Sequence, residues 1–467
     1  MRPGTKLIAA ALWVFALAQW TLLSFQIPVF HSLPGWVYFL DDIPLAHGWV
    51  FVLMLLAAVG ATAVAARDSG RTCVGLCLLV ALGYGTQMGF VVMEGRGLTR
   101  QINDLDARGH GEFAIVAAGE PSMWRVLTQY ESLIQDGKLG AHPNPKPPGQ
   151  LLLYMLNHRL ANALKPEPTA DARLERAVLL IPIVWPLITF LCVFPLYLFA
   201  RLFMGKPEAM VACLLYTCAP NVATLNNLCL DKVLYPTLCM LALWLVVQAY
   251  RRGSFAWALA AGAMLFASTF VTFSLVVLFP LSVLLLAADH VCGPRPWREW
   301  RPAAKALLGI GASVLALGVL CWLCFGYNAL YRFRFAMAYH AECMAWQPTV
   351  SRVAYCASLN FLEFGFYIGA PLAVLFVASI VRAARASIAR KADALDGACL
   401  AMCAILVLVG VFGRTMSETS RLWLFMVPLF CTFAAKQVSL VWADSRRVGA
   451  VTLVLIQLVT ALLIVRY

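Results

Sequence analysis

The sequence predicts an all-α polytopic membrane protein that crosses a bilayer about thirteen times, and three observations predict it. Of the 467 residues, 62% are hydrophobic and 13% charged, too apolar and too sparsely charged for a surface that water must solvate. Apolar runs of about 17 to 25 residues recur along nearly the whole chain, each long enough to span roughly 30 Å of hydrocarbon as a helix with its backbone bonded internally. The basic residues between those runs fall mostly into alternate loops, as an oriented membrane protein requires. No stretch reads as a separate soluble domain, so residues 1–467 form one transmembrane domain with a long outer loop over 94–175.

The first run, Leu7 to Phe30, follows Arg2 and Lys6 and has no small-residue cleavage signature before Pro28, so it reads as a retained span rather than a removed signal. Val50 to Ala66 and Cys73 to Met93 follow. They leave Met1 and the Arg67 to Arg71 turn on one side and the loop from Glu94 to Glu175 on the other. Next come Ala177 to Ala200, Met210 to Pro220 extended either way, and Val233 to Tyr250. Phe255 to Ala288 is either one overlong helix or two short ones turning at Ser268 to Ser274. Charge decides for two: Arg251 and Arg252 precede the stretch and Arg295, Arg298, Arg301 and Lys305 follow it, so both ends belong on the cytoplasmic side. The remaining spans are Ala306 to Phe325, Phe361 to Val381, Ala398 to Val411, Leu422 to Ala435 and Val448 to Val465. Counted over short loops, this map puts about 18 Lys and Arg inside and about 7 outside. The amino terminus is therefore expected in the cytoplasm and the long loop outside, in an integral membrane protein. About 16 of the 23 acidic residues also fall outside, which is where an active site would be if the protein is an enzyme.

The net charge of +13 is dispersed through short loops rather than gathered on one surface, which argues for membrane orientation and against a nucleic-acid partner. Most of the 15 cysteines lie within spans, where Cys behaves as a small hydrophobe, so no disulfide framework is implied. Cys343 and Cys356 share one outer loop and are either paired or free. Cys321 and Cys324 have CxxC spacing but no His or second pair beside them, and no ligand set with metal-binding spacing occurs elsewhere.

The long loop has a composition unlike the rest of the chain. Trp124, Val126, Leu127, Tyr130, Leu133 and Ile134 recur at helical spacing, and so do Leu151, Leu152, Met155, Leu160 and Ala161. Two amphipathic helices lying in the outer interface are predicted, joined through Pro143, Pro145, Pro147 and Pro148, which impose an extended segment.

The segment Lys146, Pro147, Pro148, Gly149, with His142 just upstream and opening an amphipathic helix after an acidic cluster, resembles the GT-C superfamily of membrane glycosyltransferases. The resemblance is to the protein-mannosyltransferase and aminoarabinose-transferase group and to bacterial relatives with a His-Pro-Pro-Gly variant. The Ala172, Arg173, Leu174 step into the next span also fits, and the likeness covers about a third of the chain. It implies sugar transfer from a polyprenyl-phosphate donor held among membrane lipid to an acceptor on the extracytoplasmic face. No cofactor is required, although some relatives use a divalent metal. By the resemblance, acidic residues of this loop carry the chemistry, here Asp104, Asp106 and Glu112. Relatives often show adjacent acids, whereas Leu105 separates Asp104 from Asp106, so the adjacent pair Asp41 and Asp42 is an alternative, against a plain reading as a solvated loop or a cap before Pro44.

Such a transfer needs a carboxylate to take the acceptor proton and cations to hold the leaving phosphate. Basic candidates are His142 and Lys146, Lys232, Arg332 with Arg334, and Arg414 and Arg421, the last two flanking Glu418 in a short outer loop at the level of a lipid phosphate. Several of these basic residues, and the loop residue His110, have a plainer reading. Arg421 snorkels beside a belt residue, Trp423; Lys232 pairs with Asp231; Arg332 and Arg334 belong to an interfacial helix or strand; and His110 is a solvated loop residue. Rival functions are a transporter or flippase of lipid-linked saccharide, which would place ionisable groups at mid-membrane, and an envelope polysaccharide polymerase or ligase.

Overall fold

The computed structural model describes residues 3–25, 27, 33–36, 46–65, 72–95, 111–120, 122–225, 232–293, 300–343, 346, 349–412 and 418–465. Every regular element among them is helical. In chain order they are α1 (Pro3–Ser24), α2 (Trp49–Ala65), α3 (Thr72–Glu94), α4 (Gly111–Gly119), α5 (Met123–Thr128), α6 (Tyr130–Gln135), α7 (Pro148–Leu164), α8 (Ala170–Phe190) and α9 (Val193–Ala200). There follow α10 (Lys206–Thr217), α11 (Pro220–Leu225), α12 (Tyr235–Arg252), α13 (Phe255–Val271), α14 (Leu278–Cys292), α15 (Trp300–Phe325) and α16 (Ala329–Cys343). The last are α17 (Val350–Ile368), α18 (Ala370–Ile388), α19 (Ala394–Phe412), α20 (Thr419–Leu422), α21 (Val427–Val441) and α22 (Arg446–Ile464).

Among the described residues nine helical stretches are long and apolar enough to cross a membrane, and α2 and α13 are shorter apolar helices. The other two expected crossings fall on α10 with α11 and on α12. The Phe255 to Ala288 stretch does turn back: α13 ends at Thr272, and a single 3-10 turn, Phe273–Val277, leads into α14. Gly253, at φ 58°, closes α12 in the left-handed conformation that lets the chain reverse into α13. The alternation leaves one end of the bundle with the insert between α3 and α8. The other end carries the paired basic residues Arg251 with Asp289, Arg382 with Asp396 and Arg446 with Glu208.

The main core runs through α9, α10, α12, α18 and α21, and includes Phe199, Tyr216, Leu243, Leu375 and Phe433. A second core, with Phe113, Val126, Tyr130, Leu151, Tyr154 and Trp185, lies under the insert and fastens α4 to α7 onto α8. Amphipathic packing rather than lipid therefore orders the insert.

The structure departs from the sequence reading at three places. The first interfacial helix is two short ones: Gln129, at φ −125°, interrupts it, so that Tyr130 and Leu133 on α6 and Val126 on α5 all turn inward. Residues 141–146 form turns rather than one extended segment, and Pro147, at φ −74° and ψ 159°, has the extended conformation. The Phe361 to Val381 span is broken at Gly369, φ 88°, between α17 and α18. Two glutamines from distant helices accept the break: Gln19 Nε2 donates to the Phe366 carbonyl at 2.7 Å, the Ala370 N–H donates to Gln19 Oε1 at 2.8 Å, and Gln457 Nε2 donates to the Ile368 carbonyl at 3.3 Å. Cys343 and Cys356 are both free thiols, the first exposed and the second buried.

Candidate functional site

The insert is built from its proline segment outward. Pro147 caps α7 and Pro148 occupies its first turn, where a missing N–H loses nothing. Gly149 follows because no side chain fits there: a Cβ would meet the carbonyl oxygen of Phe270 and lie 2.9 Å from the Phe270 carbonyl carbon and the Val271 Cα. The Lys-Pro-Pro-Gly segment thus seats the start of α7 against the backbone at the end of α13. Upstream, the Tyr130 hydroxyl donates to the carbonyls of Lys146 at 3.0 Å and Pro143 at 3.3 Å, fixing both ends of the turn. Burial pushes the Tyr130 phenol well above its ordinary range, against the opposing pull of the Arg332 cation.

Arg332 is the second brace. Its side chain is buried, with Nε donating to Glu131 Oε1 at 2.9 Å, Nη2 paired to Glu131 Oε2, and Nη1 donating to the Asn144 carbonyl at 3.0 Å. Its guanidinium lies 4.7 Å from the Phe335 ring centroid and 5.8 Å from that of Tyr130. Burial draws its pKa below the ordinary arginine value, with the Tyr130 phenol opposing. This forked contact joins α16 to α6 and to the proline segment.

Glu112 stands on the first turn of α4. Its Oε2 accepts the backbone N–H of His142 at 2.8 Å, and its Oε1 lies 3.5 Å from His142 Nδ1. Gly140, at φ 74°, makes room for the same carboxylate: a Cβ there would lie 2.7 Å from Glu112 Oε2. The Tyr339 phenol of α16 is raised first by burial, then by its bond to Cys343 and by the charges of Glu112 and Glu342, which puts the far end of α16 within electrostatic reach of Glu112. One carboxylate, partly exposed and held by an imidazole, is therefore presented at the surface of the insert.

Arg421 and Glu418 form a second group, built on other helices. Glu418 has φ 82°, a strained left-handed conformation for a residue with a Cβ, and its Oε1 lies 2.5 Å from Arg421 Nη2. Bonds between side chains and backbone hold the turn that follows: Ser420 N–H donates to Glu363 Oε1 at 3.2 Å, Asn221 Nδ2 donates to the Ser420 carbonyl at 3.2 Å, and Thr419 Oγ1 donates to the Asn360 carbonyl at 3.3 Å. Glu363 is 1% exposed. The turn shares the insert's end of the bundle: Gln87 of α3 donates to the Val222 carbonyl at 2.6 Å, and Ala223 packs with Met93, the last apolar residue before the insert.

Of the residues picked from sequence, Glu112, His142 and the Lys146 turn come together, Arg332 braces them, and Glu418 with Arg421 form the separate group. Lys232 opens a 3-10 turn, Lys232–Leu234, ahead of α12. Asp41, Asp42, Asp104, Asp106, His110, Asp231 and Arg414 lie outside the described residues. Among the described residues no three His, Cys, Asp or Glu side chains gather as a metal-binding group. Sequence reasoning missed Glu131, Glu363 and Tyr339. Only Glu363 carried a signal, as a lone carboxylate inside an apolar run.

The insert, the braced proline segment and the arginine turn thus lie at one end of an apolar bundle. Residues 172–322 match the model of the dolichyl-phosphate-mannose-protein mannosyltransferase family, a GT-C family, on a stretch that begins just after the Lys-Pro-Pro-Gly helix. No curated protein matches the chain. Among solved structures it is similar to the crystal structure of the Archaeoglobus fulgidus oligosaccharyltransferase complex with zinc and sulfate. The TM-score is 0.44 and the identity 16%, over 67% of this chain and 43% of that one, so this chain spans less than half the length of that protein.

Proposed function

We propose that the chain is a membrane glycosyltransferase. It moves a sugar from a polyprenyl-phosphate donor in the bilayer to an acceptor at the insert end, which faces away from the cytoplasm. The observation that carries this reading is the common location, at one end of the bundle, of a presented carboxylate and an arginine turn at the membrane edge. The family match and the basic character of the opposite end support it.

In a single displacement the acceptor oxygen bonds to the anomeric carbon, the bond from that carbon to the phosphate oxygen breaks, and the phosphate leaves with the electron pair. The acceptor proton passes to a carboxylate. Glu112 suits that duty because His142 orients it while leaving it partly exposed. Asp104 and Asp106 in the same loop, and Asp41 and Asp42 in the preceding one, are the other candidates. Arg421, held near the membrane edge, would stabilise the leaving phosphate, with Arg414, Lys146, His142 and Lys232 as further cations. Arg332 acts differently: with Glu131 and the Asn144 carbonyl around its fork, it positions the proline segment. No cofactor enters these steps.

The buried charged residues among those described are Glu94, Asp289, Arg332, Glu363, Asp396 and Arg421, and they sit toward helix ends, where a transferase needs them, rather than along a midplane path. The test is transfer of labelled sugar in membranes by Glu112→Gln, Asp104→Asn, Asp106→Asn and Asp41→Asn. A true base loses about 10²- to 10⁴-fold. Wild-type rates in all four would refute the catalytic assignment.

A further inference from the structure

A cavity of about 1210 Å³ lies between α1, α17, α18 and the last turn of α21; one end reaches Phe361 and Leu362 on α17, beside the residues that hold the Arg421 turn, and the other lies at the opposite end of the bundle. Its long walls are apolar, running from Leu22 and Phe366 down to Leu7 and Val381. At the end opposite the insert the lining changes to Arg382, Arg385, Gln437 and Asp444. We propose that this cavity seats an anionic phospholipid of the leaflet opposite the insert, with its acyl chains between α1 and α18 and its phosphate against Arg385, Gln437 and Arg382.

Two buried donors point to an oxygen-rich ligand. Gln437 is 2% exposed, and its Nε2 meets no protein acceptor. Arg382 Nη1 pairs with Asp396 at 2.6 Å, yet its buried Nε also meets no protein acceptor. An unmet buried donor costs about 1–3 kcal/mol, and buried polar groups are as a rule satisfied. Both residues line the polar end of the cavity, and a small side-chain shift toward it would bring each donor to a phosphate or ester oxygen.

Charge and length agree. Arg385 and Arg382 line the mouth beside Asp444, and with Arg382 engaged by Asp396, Arg385 is the cation that faces an incoming anion there. From Arg385 to Ala370 the α18 wall is about 22 Å long at 1.5 Å per residue. One leaflet supplies half of a hydrocarbon core of roughly 30 Å, so a full acyl chain fits along it. Only 22% of the α1 span is buried by protein, so α1 depends on something else to fill the space behind it. The head lies at the far end from Glu112 and Arg421, so this lipid is distinct from the sugar donor of the proposed reaction and does not rest on it.

The experiment uses the purified full chain, stripped of lipid in detergent, titrated with phosphatidylglycerol and read by native mass spectrometry. One saturable equivalent is expected, weakened about tenfold in Arg385→Gln and in Gln437→Leu. Ala378→Phe, which narrows the cavity without touching a donor, is expected to lose the bound lipid and carries the test if Gln437→Leu fails to fold. Binding that is not saturable, variants that bind as the wild type does, or displacement of phosphatidylglycerol by a polyprenyl phosphate would each overturn the proposal.

Discussion

Replacing Arg332 by Met removes the fork that joins α16 to the insert while keeping an apolar stem beside Phe335. Removing one partner of a buried ion pair costs about 3–5 kcal/mol. Here the Glu131 side chain retains 28% exposure and is partly rehydrated, so the lower figure, about 3 kcal/mol, applies. That loss shifts the opening equilibrium of the insert by about a hundredfold, and hydrogen exchange reads it directly as faster exchange of amides over 130–147, with α12 as an internal reference. The double variant Arg332→Met with Glu131→Met replaces the pair by apolar groups and is expected to recover most of the protection. Unchanged exchange in the single variant would show that the guanidinium does not hold the proline segment, and the positioning role given to it would fail.

Other outcomes follow from the same geometry. The Tyr130 phenol is raised by burial, so the folded insert keeps its proton when the unfolded chain has lost it. The contribution is therefore complete below about pH 10 and declines as pH rises above it. Tyr130→Phe should remove that alkaline step from an exchange or melting profile, at a cost of about 1–2 kcal/mol at neutral pH. Gly149→Ala forces α7 from the end of α13 and should destabilise by about 1–3 kcal/mol, lowering the melting temperature and the transfer rate together. Glu363→Ala frees the Ser420 N–H and should reduce transfer, while Glu363→Gln, which keeps an acceptor there, should retain most of it. Equal losses in both would mean that charge, not the bond to Ser420, matters. The exposed Cys343 thiol is expected to react with an impermeant maleimide added from the extracytoplasmic side; labelling only from the cytoplasmic side would reverse the orientation.

The long apolar helices were readable because lipid enforces a simple rule: a crossing needs a long apolar run, and basic residues mark which turns belong at one end. That is why the reversal at Thr272 was anticipated from arginines more than a dozen residues away on either side. Breaks inside helices were not readable. Gln129 and Gly369 interrupt runs whose composition continues unchanged, and the partners that stabilise the second break come from α1 and α22. α4 was missed because Gly111–Gly119 is short and acquires its helix by packing on α7 and α8. In the site, Glu112, His142 and the prolines were legible through the density of unusual residues in one loop. The pairing of Glu131 with Arg332 was not, because nothing local marks two residues 201 positions apart as neighbours.

The interruption at Gly369 has a consequence for assembly. Within hydrocarbon an unbonded amide or carbonyl is expensive, several kcal/mol in each case. At this point the main chain borrows its missing partners from Gln19 near the start of the sequence and Gln457 near its end. The first and last helices are thus stitched together through a third, and the stitch cannot close until the final helix has entered the bilayer. A chain cut short before residue 446 would leave the Ile368 carbonyl without its glutamine, a defect by which incomplete synthesis betrays itself inside the membrane.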